Sequence, residues 1–476
     1  METKLNLSRR SLLMGAGATA AAAGFPTLVL AQITSGQFEL RAETTSHKLV
    51  EGDYAASDLW LYNGETPGPE IRVKQGETVR VRFVNNLPEP TSVHWHGIRI
   101  ENSMDGVAGL TQDAVPPGGT FDYEFTVPDA GTFWYHAHNK SWNQVARGLY
   151  GPLIVEEPAP TFDRENDLTL VLDDWRLAEN GTLHEASIGA FMDWSHAGRL
   201  GNLMTVNGQS APRFSLNTGE AYRVRLINAA NARIFQIDPA AMGAKLIGYD
   251  GFAFDKPRLP ESTVLLGPAQ RVDLLLQQQE TGSVSMVNVG DHELERMSGA
   301  EPLPLVVFDF KGEKTRQLPI PTLSPNSIAE PDITNALKVP LVMTGGAMGR
   351  LGDISFNGQP LTRKAMMENQ QVWAFNGVAN MPESPLFETA IGQTVLVETI
   401  NQTGWPHAMH VHGHHFRIIS RNGKAVAHRD WRDTFFIDGN ETVEIAFVAD
   451  NPGKWMLHCH MLEHAAAGMR TWFKVA

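Results

Sequence analysis

Ten of the 17 histidines in this chain fall in four short clusters: His94 and His96; His136 and His138; His407, His410 and His412; His458, His460 and His464. Between His458 and His460 stands Cys459, the single cysteine among 476 residues, and Met469 follows it closely. One cysteine cannot form a disulfide within the chain, so its thiol is kept for other chemistry. Residues two apart on a strand project to the same face. Each His-x-His pair therefore delivers two imidazoles to a common space, and four such pairs deliver eight. One pair alone is a common accident of sequence; four at matched positions are not.

His407, Cys459 and His464, with Met469, are two imidazoles, a thiolate and a long axial thioether, the ligand set of a blue-copper electron-transfer site. Zinc is the main rival for cysteine and histidine, but structural zinc sites close with four ligands that usually include two or more cysteines. Zinc would also leave eight imidazoles without a role, whereas imidazoles without carboxylates suit copper. On this reading the thiolate binds one copper. Its flanking histidines point the other way into a second copper site, and the Cys-His bonds form a short covalent link between two redox centres.

The elements that must position these residues repeat three times. "GETVRVRFVNNL" from Gly76, "GEAYRVRLINAA" from Gly219 and "GQTVLVETINQT" from Gly392 each alternate apolar and polar residues, the pattern of a half-buried strand. A second alternating segment follows each one: "GGTFDYEFTV" from Gly118, "PAQRVDLLLQ" from Pro268 and "GNETVEIAFV" from Gly439. Gly, Pro and Asn turns separate the strands, and long helical patterns are nearly absent. The expectation is an all-β chain of three Greek-key β-sandwich domains, at residues 32–158, 159–312 and 330–476. The Pro-rich polar stretch from Lys311 serves as the second linker. His94 and His410 stand at equivalent places in the first and third copies, where the second has Ile237. "GTFWYHAH" from Gly131 aligns with "GKWMLHCH" from Gly453, so Ala137 stands where Cys459 does, and Thr91 stands where His407 does. Domains 1 and 3 share the histidines, and domain 3 alone adds the thiolate.

"HWHG", "HAH", "HAMHVHG" and "HCHMLEHAAAGM" resemble, in order and spacing, the four copper motifs of the multicopper oxidases, the laccase-like family. The resemblance covers the chain after its first 31 residues. It implies three cupredoxin-like domains and four copper ions. A type 1 copper would take His407, Cys459, His464 and Met469. A type 2 copper would take His94 and His410, and a type 3 pair His96, His136, His138, His412, His458 and His460. The cluster would lie between domains 1 and 3, with domain 2 a spacer. The implied activity couples four one-electron oxidations of a reductant to the reduction of O2 to two waters. Electrons would pass from Cys459 to His458 and His460. Met469 implies a moderate potential. Asp105, nine residues after His96, resembles the family's acid that assists O2 reduction. A second acid, which many bacterial relatives carry directly after the last type 1 histidine, is replaced by Ala465; Glu463 is set aside as facing elsewhere.

Substrate is less legible. The leading reading is a laccase-like oxidase of phenols and aromatic amines; the alternative is a periplasmic cuprous oxidase in copper tolerance. Cuprous oxidases of the family carry a methionine-rich insertion in domain 3, since soft thioethers bind Cu(I), and an Asp and a Met before the first motif-three histidine. Here "QTGWPH" has neither, and Met343, Met348, Met366, Met367 and Met381 are thinly spread. Trp405 and Pro406 are expected at the type 1 entry. A copper-free scaffold, the third reading, conflicts with the complete ligand set. His414 and His415 are assigned structural or surface roles, Trp95 and Trp134 packing beside ligands. The isolated His47, His184, His196, His292 and His428 are assigned no ligand role.

The balance of 39 basic to 53 acidic residues, a net charge of −14, disfavours nucleic acid and anionic membranes as partners. The partners expected are O2 and a small-molecule or metal-ion reductant. The first 31 residues read as an export signal: a basic start, an apolar Ala/Gly/Leu stretch and a small residue at the end. Arg9-Arg10 before Leu12-Leu13 resembles a twin-arginine signal, which exports folded proteins. A periplasmic monomer without a stable membrane anchor is expected.

Overall fold

The computed structural model describes residues 32–34, 37–290, 303–312, 323–347, 349 and 354–476. The export signal, His292, Met348 and part of the second linker lie outside these residues. The fold is all-β, three cupredoxin-like sandwiches in sequence, each a pair of sheets. The two repeated segments of each copy are antiparallel neighbours. Thr78–Asn85 pairs with Thr120–Thr126, Tyr222–Asn228 with Arg271–Leu276, and Gln393–Asn401 with Thr442–Ala449.

Alternation in Thr78–Asn85 gives one buried and one solvated face, as expected. Tyr222–Asn228 departs from that expectation, because it is buried along its whole length. Its polar positions, Arg223 and Arg225, face the first sandwich instead of water. Arg225 donates to Asp167 at 2.6 Å and to Thr132 at 2.8 Å, and Arg223 donates to Asp273 and Glu157. Arg72 of the first sandwich donates to Asp167 at 2.9 Å. Paired carboxylates make this burial tolerable.

Two antiparallel strand registers position the histidines. Val93–His96 pairs with Gly131–Ala137, with His94 directly opposite His136. His407–Val411 pairs with Gly453–Cys459, with His410 opposite His458 and Met409 opposite Cys459. Directly opposed side chains on one face stand about 5 Å apart. One apolar core runs through the first and third sandwiches, joining Trp95 and Phe133 to Met409 and Trp455. The described part of the linker is tied down: Asn326 exchanges hydrogen bonds with both backbone groups of Ala130. Among the described residues, no helix is long and apolar enough to cross a membrane.

Candidate metal centre

Cys459 ends its strand, His407 begins the neighbouring strand, and His464 sits in the short helix Leu462–Ala466. All three are fully buried. His407 Nδ1 and His464 Nδ1 are 3.0 Å apart, and the Cys459 Sγ lies 3.6 Å from the first and 4.0 Å from the second. The outer ring nitrogens are occupied. His464 Nε2 donates to the His196 carbonyl at 2.7 Å, and His407 Nε2 meets Thr403 Oγ1 at 3.1 Å. These outer bonds turn both Nδ1 atoms toward the thiol. Trp373 packs on both rings, at 5.1 Å from His407 and 4.6 Å from His464. Met469 is buried, and its carbonyl accepts from the Cys459 N–H at 3.0 Å. Gly468 permits this close return. Its φ is +130°, and a Cβ there would stand 2.0 Å from the Trp373 carbonyl oxygen.

Eight imidazoles gather between the first and third sandwiches in three sets, two of which share His96. His94, His96 and His410 form one, His96, His136 and His460 a second, and His138, His412 and His458 a third. Most have one nitrogen held by oxygen and the other aimed inward. His94 Nδ1 donates to the Asp105 carbonyl at 2.7 Å, His410 Nδ1 to that of Asp433 at 2.9 Å, and His458 Nδ1 to that of Cys459 at 2.8 Å. The inward nitrogens His94 Nε2, His96 Nδ1 and His410 Nε2 are buried with no hydrogen-bond partner. Buried polar atoms are rarely left so. Neutral imidazole nitrogens converging on one another, without donors between them, fit metal ions. Burial supports this by holding His96, His136, His138, His407, His410, His412 and His460 well below the ordinary imidazole value. It pulls His458 and His464 to about 4. Uncharged rings keep the lone pair a metal needs. Burial also pushes the Cys459 thiol up to about 12, so a neighbouring cation is required to hold it as thiolate.

Asp105 is buried where its motif predicted. Its carboxylate accepts from His412 Nδ1 at 3.0 Å while its carbonyl holds His94. Gly106, at φ +82°, makes the turn; a Cβ there would meet the Val93 carbonyl oxygen at 1.8 Å. A second buried carboxylate, Asp433, escaped the sequence reading. Its Oδ1 is 3.3 Å from His96 Nε2 and accepts from Arg271 Nη1 at 2.7 Å, while Arg271 Nη2 donates to its other oxygen. No spacing marks Asp433; it arrives because Thr434 pairs with His410 across the strands. Glu463 faces domain 2, accepting from Asn231 at 2.7 Å. His414 and His415 are both buried. His414 packs among Phe447, Trp455 and Phe473, and His415 against Phe252. Trp95 packs with Tyr123, Phe125 and Tyr135, whereas Trp134 lies on His136 at 4.4 Å.

The spacer expectation for the middle sandwich needs correcting. It brings no imidazole to these sets, but it supplies the His196 carbonyl over His464 and the Arg271 guanidinium on Asp433. The His196 ring is no ligand; it packs on Trp405 at 5.3 Å.

A buried cysteine and two imidazoles, with the cysteine joined by single peptide bonds to two of eight further imidazoles gathered between cupredoxin-like sandwiches, define an oxidase with several coppers. Sequence comparison agrees. The multicopper oxidase family pattern matches residues 43–160 and again residues 356–476. The multicopper oxidase MmcO of Mycobacterium tuberculosis is 29% identical over 446 residues, spanning 86% of this chain and 82% of that protein. Laccase-1 of Botryotinia fuckeliana is 28% identical over 453 residues, spanning 87% and 77%. The crystal structure of a multi-copper oxidase from Pseudomonas thermotolerans is similar with a TM-score of 0.77 at 32% identity, covering 94% of this chain and 100% of that one. The chain belongs to the multicopper oxidase family. It is a copper-dependent oxidoreductase with one type 1, one type 2 and two type 3 coppers, and it couples oxidation of a reductant to reduction of O2 to water.

Proposed function

We propose that His407, Cys459, His464 and Met469 hold the type 1 copper, that His94 and His410 hold the type 2 copper, and that His96, His136, His138, His412, His458 and His460 hold the type 3 pair. The observation that carries this is the register of Gly453–Cys459: Cys459 faces His407 and His464, while His458 and His460 face the imidazoles beyond. When bound, copper supplies the one-electron transfers and the binding and reduction of O2.

The residues supply the rest. Cys459 joins the two centres through one peptide bond on each side, to His458 and to His460. Asp105 lies against His412 Nδ1 and is placed to hold a proton at Oδ2 and pass it inward. Asp433 orients His96 and is itself held by Arg271. Burial of seven of the eight imidazoles keeps bulk water from them, while His138 is half-buried.

The reductant is an organic molecule, a phenol or an aromatic amine, as for a laccase. Among the described residues no methionine cluster forms a trap for Cu(I): Met343 is core, and Met381 lines a separate cavity. The entry is covered by the helix Phe191–Ser195, where the Ala347 N–H donates to the Ser195 carbonyl at 2.7 Å. A donor therefore meets His196 and Trp405 before His464 itself. The first 31 residues are a twin-arginine signal that delivers the chain to the periplasm. The three domains, at 32–158, 159–312 and 330–476, work as a monomer because one chain holds every ligand.

Oxygen uptake with a simple methoxyphenol tests the substrate. The enzyme is copper-loaded and then freed of excess metal. Rapid uptake without added copper is expected. Uptake that appears only with added Cu(II) would mean that a bound substrate copper relays the electrons, and would transfer the assignment to a cuprous oxidase.

A further inference from the structure

A cavity of about 400 Å³ lies against the type 3 histidines His138 and His458. It reaches the surface at Lys140 and Asn369, which are exposed. No carboxylate lines it, although the chain as a whole is acidic. Two cations do. Lys140 is neutralised by Glu89 at 3.0 Å. Arg470 is different.

Arg470 opens the strand Arg470–Val475 and stands directly opposite His458 in the register. Its Nε donates to the Asn380 side-chain oxygen, and the guanidinium has no ion pair with any described residue. Arg470 is half-buried in the cavity wall, whereas the buried Arg72, Arg223, Arg225 and Arg271 are each held by carboxylates. A guanidinium cannot discharge itself by losing a proton at ordinary pH. It is weakly hydrated and offers a planar fork of donors. With no acid in the cavity wall, its free donors are placed to take an anion from solution.

We propose that this cavity is a binding site for a small monovalent anion, a halide or a carboxylate of formate size, held by the Arg470 guanidinium beside His458. A carboxylate can take two parallel N–H bonds from the fork; a halide can take converging ones. The acidic surface repels anions at long range, so binding depends on this local geometry. An anion seated here stands between solvent and the type 3 residues His138 and His458, and it slows turnover.

The test is a bromide soak of holoenzyme crystals, with anomalous density recorded at the bromine edge. A peak at the Arg470 guanidinium is expected, weakened when formate is added in excess. In solution, bromide should inhibit methoxyphenol oxidation, and the inhibition constant should rise at least tenfold in R470Q but much less in R470K. Bromide found only on the metal centres or at surface cations overturns the proposal. So does R470Q that retains the peak and the same sensitivity. A peak present while formate leaves it undiminished excludes carboxylates from the class. The wild-type map decides without any variant having to fold, and it reads the same whichever reductant the enzyme uses.

Discussion

At the scale of single residues, the division of labour follows from which nitrogen each imidazole has free. On the proposed assignment the Cys459 side chain is a ligand of the mononuclear centre alone, while its backbone joins the two centres. Cys459→Ser should leave three coppers per chain by metal analysis, abolish the blue absorption, and take phenol-driven oxygen uptake below detection. Asp105→Asn removes the acid against His412 but keeps the turn and the backbone bond to His94. Oxygen uptake should fall by about a hundredfold or more, the range of a lost general acid, while anaerobic reduction of the type 1 copper by phenol stays at its normal rate. If both slow together, Asp105 is a structural residue. Cys459 and its flanking histidines were legible from the side-chain alternation of a strand. Asp433 and the His196 carbonyl were not, because backbone oxygens and lone acids leave no pattern in a sequence.

At the scale of elements, the centre depends on two antiparallel strand pairs and one short helix. The helix Leu462–Ala466 carries His464 and must reverse at once to bring Met469 beside Cys459. Gly468 makes that reversal at a positive φ against the Trp373 carbonyl. Gly468→Ala combines unfavourable backbone conformation with a clash, at a cost of about 1–3 kcal/mol or more. The expected outcome is a lower melting temperature together with weaker blue absorption. A fall in melting temperature alone would show that Met469 keeps its place. The repeated strands were readable by alternation, but their antiparallel partnership was not, because strands of the opposite sheet come between them in the chain. The burial of Tyr222–Asn228 on both faces was not readable, since Arg223 and Arg225 look like solvent-facing residues until the first sandwich covers them.

For the whole molecule, the sandwiches are locked by buried charge as well as by apolar surface. Burial pushes the Asp167 carboxyl upward, but Arg225, Arg223 and Arg72 outweigh this and hold it well below the usual carboxylate range. A carboxylate depressed on folding contributes stability that is fully present above its unfolded value, about 4, and is lost as pH falls below that value. Asp167→Asn should therefore destabilise the protein at neutral pH by about 3–5 kcal/mol, because it strands buried guanidinium groups. The melting-temperature gap between variant and wild type should narrow below about pH 4. A gap that is the same at pH 7 and in acid would mean that packing, not charge, accounts for the loss.

By itself the sequence determined which residues could bind copper and which would share a face, because side-chain direction along a strand has a period of two and needs no partner to define it. It also determined that two copies of one unit must come together, since neither carries a complete set. Only the tertiary structure decided what surrounds the ligands: Arg271 on Asp433, the His196 carbonyl over His464, and the acid-free cavity at Arg470. Those contacts join segments hundreds of residues apart through the packing of one sandwich on another, and the alternation of a single strand carries no information about which surface will cover it.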